Sequence, residues 1–172
     1  MLPREFYEQK TLKVAKELLG KFLVHKNISG VITETEAYYG FHDLASHASH
    51  GKTKRTEIMF GPAGHAYIYL IYGMYYCLNV VTEHEEYPAA ILIRGIEGVS
   101  GPGRLTRHFK IDKSLNGIDM TKSRELWIED RGIKIAPSKI ARTPRIGVDY
   151  AGEWKNKPWR FVLILPPNPL LP

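Results

Sequence analysis

The sequence predicts an α+β fold: one domain with a mostly antiparallel, curved, open-barrel-like β-sheet, short flanking helices and a protruding β-hairpin. Short apolar segments rich in β-branched and aromatic residues recur along the chain between turn residues, whereas few segments have helical periodicity. No repeat, low-complexity tract or linker interrupts the 172 residues, so we expect a single domain over residues 1–172.

The first part of the chain predicts a helix, a hairpin and a second short helix. TLKVAKELLG has apolar residues on one helical face, with Thr11 as the expected N-cap and Gly20 as the terminating residue. KFLVHK and VITETEAY flank NISG, a pattern that predicts a β-hairpin. HDLASHASHG predicts a short helix capped by Asp43.

The rest of the chain predicts mainly strands. GPAGHAYIYLIYGMYYCLNVV predicts two strands joined by the exposed tip YGMY, and AAILIRGIEG predicts a third. GPGRLTRHFK predicts a helix, and Asn-Gly at 116–117 predicts a turn. Three further strands are expected in RELWIED, GIKIA and RFVLIL.

Composition restricts the classes of function. The chain has 24 Lys and Arg against 18 Asp and Glu, a formal charge of +6, which favours a polyanionic partner without identifying it. Cys77 is the only cysteine, so an intrachain disulfide is excluded. The sequence has no secretory signal pattern and no apolar run of roughly 20 residues. We therefore expect an intracellular protein that does not cross a membrane.

Two glutamates in VITETEAY are candidates for acid–base chemistry. Strand alternation places Glu34, Glu36 and Tyr38 on one face, opposite the residues between them. The carboxylates would then lie about 7 Å apart, close enough for one charge to raise the pKa of the other group. A solvated strand face has the same pattern, and the spacing alone favours that simpler interpretation.

Asn79 and Arg94 interrupt aliphatic strands, where an unpaired polar group is costly to bury. A backbone carbonyl for Asn79 and any carboxylate for Arg94 would satisfy them structurally. Alternatively, Asn79 and Arg94 form the floor of a polar pocket in which Arg94 pairs with Glu36. Five of the ten tyrosines fall within residues 67–76. Most fit a core stripe, but Tyr72 at an exposed tip suggests insertion into a partner.

Histidines and basic residues follow the TETEAY strand. His42, Asp43, His47 and His50 match no metal-binding spacing, so we expect neither a metal nor a cofactor. The GKTKR cluster can contact a phosphate backbone only if folding places its basic residues on one side of the molecule. The basic residues of this cluster are Lys52, Lys54 and Arg55.

From about Leu18 to Phe161 the chain resembles the alkyladenine (3-methyladenine) DNA glycosylases, monofunctional base-excision repair enzymes. The order and spacing of the matching segments are highly specific. These segments are TETEAYYG, DLASHASHGKTKRTEIMFGPAGHAYIYLIYGMYYCLNVV, ILIRGIEG, GPGRLT and RIGVDYAGEWKNKPWRF. The resemblance implies a protein that turns a damaged purine nucleotide out of duplex DNA and adds water across its N-glycosidic bond, leaving an abasic site.

The resemblance also implies roles for single residues. Glu36 would be the general base that activates the water, and Arg94 would help to hold that water together with the backbone carbonyl of Ile146. The implied substrates are alkylated purines such as 3-methyladenine, with hypoxanthine and ethenoadenine left open. The implied partner is double-stranded DNA in the cytoplasm or nucleoid of a prokaryote or the nucleus of a eukaryote. We expect the protein to act as a monomer.

Four further residues would surround the extruded base, and a fifth would insert into the duplex. Tyr38 and Tyr69 would sandwich the base, and the backbone amide of His47 would contact its edge. Asn79 would crowd the purine so that the 2-amino group of guanine is disfavoured. Tyr72 would enter the minor groove and fill the gap in the base stack.

Two other classes of function remain open. A nucleoside or glycoside hydrolase would use Glu34 and Glu36 as an inverting pair, since about 6.5–9.5 Å is the usual separation. It would lose activity equally in Glu34→Gln and Glu36→Gln and would accept free nucleosides. In a non-catalytic nucleic-acid-binding module, Glu36→Gln would leave every measurable activity unchanged.

Overall fold

Nine antiparallel strands form one open sheet in the computed structural model, which describes residues 1–164. The strands are β1 (Phe22–His25), β2 (Ile28–Tyr39), β3 (Ala66–Ile71), β4 (Tyr75–Val81), β5 (Ala89–Ile96), β6 (Val99–Ser100), β7 (Leu126–Glu129), β8 (Ile140–Thr143) and β9 (Arg160–Leu163). Their main order is β3-β4-β5-β2-β1-β7. β6 pairs with β5, β9 pairs with β2, and β8 pairs with β9.

The helices are short and flank this sheet. They are α1 (Arg4–Tyr7), α2 (Thr11–Glu17) and α3 (Pro102–Phe109), with 3₁₀ turns at His47–His50, Glu57–Phe60, Lys113–Leu115, Pro137–Lys139 and Asp149–Asn156. The predicted α+β class, with an antiparallel sheet and a protruding β3–β4 hairpin, is confirmed. Within residues 1–164, no helix combines the length and apolar character needed to span a bilayer. The last eight residues of the predicted domain lie outside the described residues.

β2 separates the core from the site. Thr35 and Ala37 face the core, where the Thr35 hydroxyl donates to a helix carbonyl, that of Ala15. The pairing of β2 with β5 shifts register on either side of Glu34, leaving Thr33 and Arg94 without a direct partner, as in β-bulges. A bulge changes which face a side chain occupies, so the strand alternation resets just before the acidic residues.

The ends of two predicted helices differ from expectation. Thr11 is the first residue of α2 and does not cap it. Instead the Glu83 carboxylate, distant in sequence, accepts hydrogen bonds from both the Thr11 amide (2.7 Å) and its hydroxyl (2.9 Å). Asp43 does not cap the predicted second helix either. Ser46 caps the 3₁₀ turn that forms there, accepting from the Ala48 amide.

Two strand predictions were displaced. The first hairpin turns at Lys26 and Asn27, one residue earlier than NISG, because Ile28 already pairs with His25. GIKIA is not a strand. The strand of that region is β8, beyond Pro137, because its residues pair with β9. The other predicted strands and the GPGRLTRHFK helix are present, and Leu165 of RFVLIL lies outside the described residues.

Candidate active site

A cleft of about 900 Å³ opens beside the β3–β4 hairpin. Strands β2 and β5 form its floor with the hairpin, and the start of α3 and segments 45–47 and 146–150 form its walls. Residues far apart in the chain therefore meet in one place. The sequence-predicted residues that line the cleft are Tyr38, His47, Arg55, Tyr69, Tyr72, Asn79, Arg94 and Ile146.

Glu36 lies directly behind these cleft-lining groups and is completely buried. The Tyr38 hydroxyl donates to one carboxylate oxygen at 2.6 Å. The Ile146 amide donates to the other oxygen at 2.9 Å, and Arg94 Nε lies 3.4 Å from that same oxygen. Ile146 therefore contacts Glu36 through its amide, and the role that the resemblance implies for its carbonyl stays a prediction.

Glu34 completes a chain of charges with Arg94. Its Oε1 atom accepts a hydrogen bond from Arg94 Nε at 2.9 Å and another from Arg160 Nε at 2.6 Å. Glu34 and Glu36 are thus bridged by one guanidinium. The sequence required a carboxylate partner for Arg94, and the structure supplies two, Glu34 and Glu36. The contact of Glu34 with Arg160 was not predicted, because Arg160 belongs to the distant strand β9.

The environment of Glu36 changes its proton affinity. Burial raises the pKa of Glu36 above its ordinary value, and the neighbouring Glu34 charge acts in the same direction. Arg94, the Tyr38 hydroxyl and the Ile146 amide favour the ionised form and oppose that rise in pKa. The result is a desolvated carboxylate with three partners that stabilise its charge, a suitable environment for a general base.

Aromatic rings form the side walls. Tyr69 packs against Tyr67, and the His47 ring meets Tyr69 edge-on with centroids 4.5 Å apart. His47 Nδ1 lies 3.1 Å from the Tyr67 hydroxyl. Burial, together with the nearby Arg55 charge, lowers the pKa of His47 to about 4, so its imidazole is neutral at physiological pH.

The cleft floor contains two polar groups from β4. Asn79 is buried and its amide nitrogen donates to the Tyr67 carbonyl at 3.1 Å, the structural solution that its strand position required. Cys77 is buried beside it. Burial raises the pKa of the Cys77 thiol to about 11, which keeps it protonated and weakly nucleophilic.

Tyr72 occupies the hairpin tip at the rim of the cleft and is 84% exposed. Tyr72 and Gly73 both have positive φ, 50° and 68°, and the Met74 amide donates to the Ile71 carbonyl. These features are characteristic of a type I′ turn. An exposed aromatic residue is therefore held in a conformation that non-glycine residues rarely adopt.

The three basic residues of GKTKR have different surroundings. Arg55 lines the cleft and its guanidinium lies 5.5 Å from the Tyr69 ring centroid. Lys54 is exposed, whereas Lys52 pairs with Glu86 at 3.0 Å. Only one of the three is therefore part of the cleft. Other cleft-lining cations, Arg104 and Arg107, come from α3.

Sequence reasoning missed a buried ion pair next to the site. Asp43 and Arg145 are joined by two hydrogen bonds, of 2.6 and 2.8 Å, and both side chains are fully buried. The sequence predicted a helix cap at Asp43 and no individual role for Arg145. Because Asp43 and Arg145 are far apart in the sequence, no motif or residue spacing could predict that they pair. Among residues 1–164, no three His, Cys, Asp or Glu side chains are grouped as a metal ion would require.

Comparisons with known proteins agree over almost the whole chain. Residues 5–165 match the family model described as Methylpurine-DNA glycosylase (MPG). Relatives named "Putative 3-methyladenine DNA glycosylase" occur in Methanocella arvoryzae (50% identical, covering 94% of this chain and 91% of the relative) and Legionella pneumophila strain Corby (51%, covering 94% and 93%). A Wolbachia relative from Brugia malayi is 49% identical, covering 94% and 96%. The chain belongs to the methylpurine-DNA glycosylase family.

Proposed function

We propose that this DNA glycosylase removes alkylated or otherwise damaged purines from double-stranded DNA, with 3-methyladenine as the first substrate to test. Hypoxanthine and ethenoadenine are further candidates. The damaged nucleotide is turned out of the duplex into the cleft, and its N-glycosidic bond is hydrolysed. The observation that carries this proposal is the fully buried Glu36 carboxylate behind an aromatic-lined cleft, with Arg94 3.4 Å away.

Glu36 is the general base of the proposed reaction. A water molecule attacks the sugar C1′ atom and gives a proton to Glu36. The C1′–N bond breaks, its electron pair leaves with the base, and the sugar keeps the hydroxyl. Arg94 and the Ile146 carbonyl orient the water. Burial favours this role because it removes competing solvent, and the hydrogen bonds to Glu36 stabilise the ionised form that accepts the proton.

The walls of the cleft select the base. In this proposal the extruded purine stacks between Tyr38 and Tyr69, both of which line the cleft. An N-alkylated purine is cationic or electron-poor, so the faces of electron-rich rings favour it over ordinary adenine. The His47 amide contacts its edge, and Asn79 excludes the guanine 2-amino group. Tyr72 enters the minor groove and replaces the lost base.

The proposed reaction is monofunctional and needs neither a metal nor a covalent intermediate. Alkylation already makes the purine a good leaving group, so a water molecule is a sufficient nucleophile. An amine nucleophile would require a lysine or the N-terminal amine in the cleft, and neither is among the described lining residues. Cys77 is kept in its thiol form. Because one chain supplies all the groups around Glu36, we infer that a monomer is sufficient.

The alternative use of Glu34 and Glu36 as an inverting pair is less well supported. One oxygen of each carboxylate lies close to Arg94 Nε, at 2.9 and 3.4 Å, so these two oxygens are no farther apart than the sum of those distances. That sum is below the roughly 6.5 Å at which inverting pairs begin to accommodate a water molecule. Glu34 is better suited to anchoring the Arg94 guanidinium.

The test is excision from duplex DNA that carries one 3-methyladenine, by the wild type and by Glu36→Gln. We expect the wild type to release the free base and leave an unbroken abasic strand. Glu36→Gln should be slower by about 10²–10⁴-fold, the usual contribution of a general base. Equal rates for the two proteins would refute the proposed base, and release from the free nucleoside alone would favour the hydrolase alternative.

A further inference from the structure

The buried pair of Asp43 and Arg145 takes no direct part in the reaction proposed above. Both side chains are completely excluded from solvent. Burying two charges is costly even when they are paired, and an apolar pair of similar size is often equally stable. Such a pair is weak evidence for a role in stability, and its position therefore calls for another explanation.

Arg145 connects separate segments around the cleft. In addition to Asp43, its guanidinium donates to the Ala37 carbonyl of β2 at 2.9 Å and to the Trp154 carbonyl at 3.3 Å. The same guanidinium lies over the Tyr38 ring, 4.6 Å from its centroid. Because Arg145 is buried and Tyr38 lines the cleft, the guanidinium supports the ring from the side away from the cleft.

Asp43 fixes the other side of this junction. Its carboxylate accepts hydrogen bonds from the Tyr39 amide at 3.3 Å and the Ala45 amide at 3.1 Å, besides the two from Arg145. A two-pronged arginine–carboxylate pair has little rotational freedom. The end of β2, the loop that leads to His47 and the segment that contains Arg145 are thereby tied together.

Both groups that donate hydrogen bonds to Glu36 depend on this junction. The Tyr38 hydroxyl (2.6 Å) belongs to the ring supported by Arg145, and the amide at 2.9 Å belongs to Ile146, the next residue in the chain. We propose that Arg145, anchored by Asp43, is a positioning residue that holds Tyr38 and the Ile146 peptide where both hydrogen-bond Glu36. This inference rests on the proposed role of Glu36 as the base.

The test removes both charges together, in the double variant Asp43→Leu/Arg145→Met. The pair is neutral overall, so its removal changes the net charge around Glu36 little, whereas the two hydrogen-bond donors lose their support. The Ala37 and Trp154 carbonyls and the Tyr39 and Ala45 amides also lose these partners, so we expect a lower thermal midpoint than that of the wild type. Single-turnover excision of 3-methyladenine from duplex DNA should slow by roughly tenfold to a hundredfold, as expected for a small displacement of catalytic groups.

The pH profile separates positioning from a purely structural role. When the two donors move away, the ionised form of Glu36 loses stabilisation. The low-pH limb of the pH profile, where the single-turnover rate rises with increasing pH, should therefore move to higher pH. The double variant keeps every other charged or titratable group around Glu36. These groups are Glu34 and Tyr38 on β2, Arg94 on β5, Arg160 on β9, Tyr69 on β3 and Cys77 on β4.

A matched control removes an arginine–aspartate pair elsewhere in the described part of the chain, in Arg4→Met/Asp119→Leu. These side chains are joined at 2.6 Å and are about a quarter exposed, and neither lines the cleft. This control should lose stability without any shift of the low-pH limb. If the Asp43/Arg145 double variant excises at the wild-type rate with an unmoved limb, the positioning role is overturned.

Arg145→Lys keeps the proposal testable if the double variant does not fold. Lysine keeps the charge beside Asp43 but lacks the two-pronged, planar group that stacks on Tyr38. We expect the same slower excision and the same limb shift, and a wild-type profile would overturn the proposal. A wild-type protein that releases no base would instead reject the proposed function, so the two failures are distinguishable.

Discussion

Glu36 combines complete burial with several groups that stabilise its charge. Water would normally solvate a carboxylate; here Tyr38, Ile146 and Arg94 replace that water. Because burial still dominates, the pKa of Glu36 is raised above its ordinary value. In the proposed reaction, Glu36 therefore links its buried environment to the pH dependence of excision.

Tyr38→Phe tests that link while keeping the aromatic ring. In the proposed reaction excision requires ionised Glu36, so the rate is expected to rise as pH increases through the pKa of that group. Removing a donor that stabilises the carboxylate raises this pKa further, and the low-pH limb should move to higher pH. Single-turnover rates across a pH series measure the shift. An unmoved limb would show that the Tyr38 hydroxyl does not act on the titrating group.

His47 makes a second prediction, about stability. Its pKa in the folded protein is lowered to about 4 from an ordinary value near 6.5, so the unfolded chain binds a proton first as pH falls. Its contribution to stability is complete above pH 6.5 and is lost progressively between pH 6.5 and 4. His47→Gln should lose less stability than the wild type over that window, as measured by denaturant unfolding. Identical losses would contradict the depressed pKa.

Among the structural elements, the β3–β4 hairpin has the clearest conflict between sequence and geometry. Its tip places the bulky Tyr72 in a left-handed conformation and leaves the ring 84% exposed, although both features favour a small polar residue. Strain kept in an exposed turn suggests a function for the residue. Insertion of Tyr72 into DNA, as proposed, is such a function.

Tyr72→Asn tests this interpretation by creating Asn-Gly, the favoured pair for a type I′ turn. Stability should be unchanged or higher by up to about 1 kcal/mol, because asparagine tolerates the left-handed conformation. Excision from duplex DNA should fall, while excision from single-stranded DNA should fall much less because no gap in a stack needs filling. The ratio of the two rates is the measurement, and an unaltered ratio would contradict the wedge.

Local patterns predicted the elements well and their connections less well. Alternation in VITETEAY and the tyrosines around YGMY predicted the strands on which Glu36 and Tyr69 lie, because strand periodicity is a local property. The cap of α2 by Glu83 and the ion pair of Asp43 with Arg145 were missed because each joins residues far apart in sequence. The bulge at Arg94 was also missed, since register is set by the neighbouring strand.

On the scale of the whole molecule, some basic residues line the cleft and others lie elsewhere. Arg55, Arg104 and Arg107 line the cleft, and Arg107 lies over the Tyr75 ring at 5.6 Å. Lys16 belongs to a separate groove formed by different residues. Under the proposed function, the cleft-lining part of the +6 charge would meet phosphates beside an extruded nucleotide, and Lys16 would not.

The salt dependence of DNA affinity measures this division. We expect the affinity to fall steeply and linearly on a logarithmic salt scale. Arg104→Gln should reduce the slope by about 1, the effect of losing one phosphate contact, whereas the matched variant Lys16→Gln should not change it. Equal slopes for the two variants would show that charge near the cleft has no special part in binding.

The most decisive comparison is between Glu36→Gln and Glu34→Gln, measured as single-turnover release of 3-methyladenine from duplex DNA at saturating protein. If Glu36 is the base and Glu34 anchors Arg94, Glu36→Gln should lose about 10²–10⁴-fold in rate and Glu34→Gln at least about tenfold less than that. Equal losses in the two variants, or none in Glu36→Gln, would contradict the assignment of Glu36 as the base of this glycosylase.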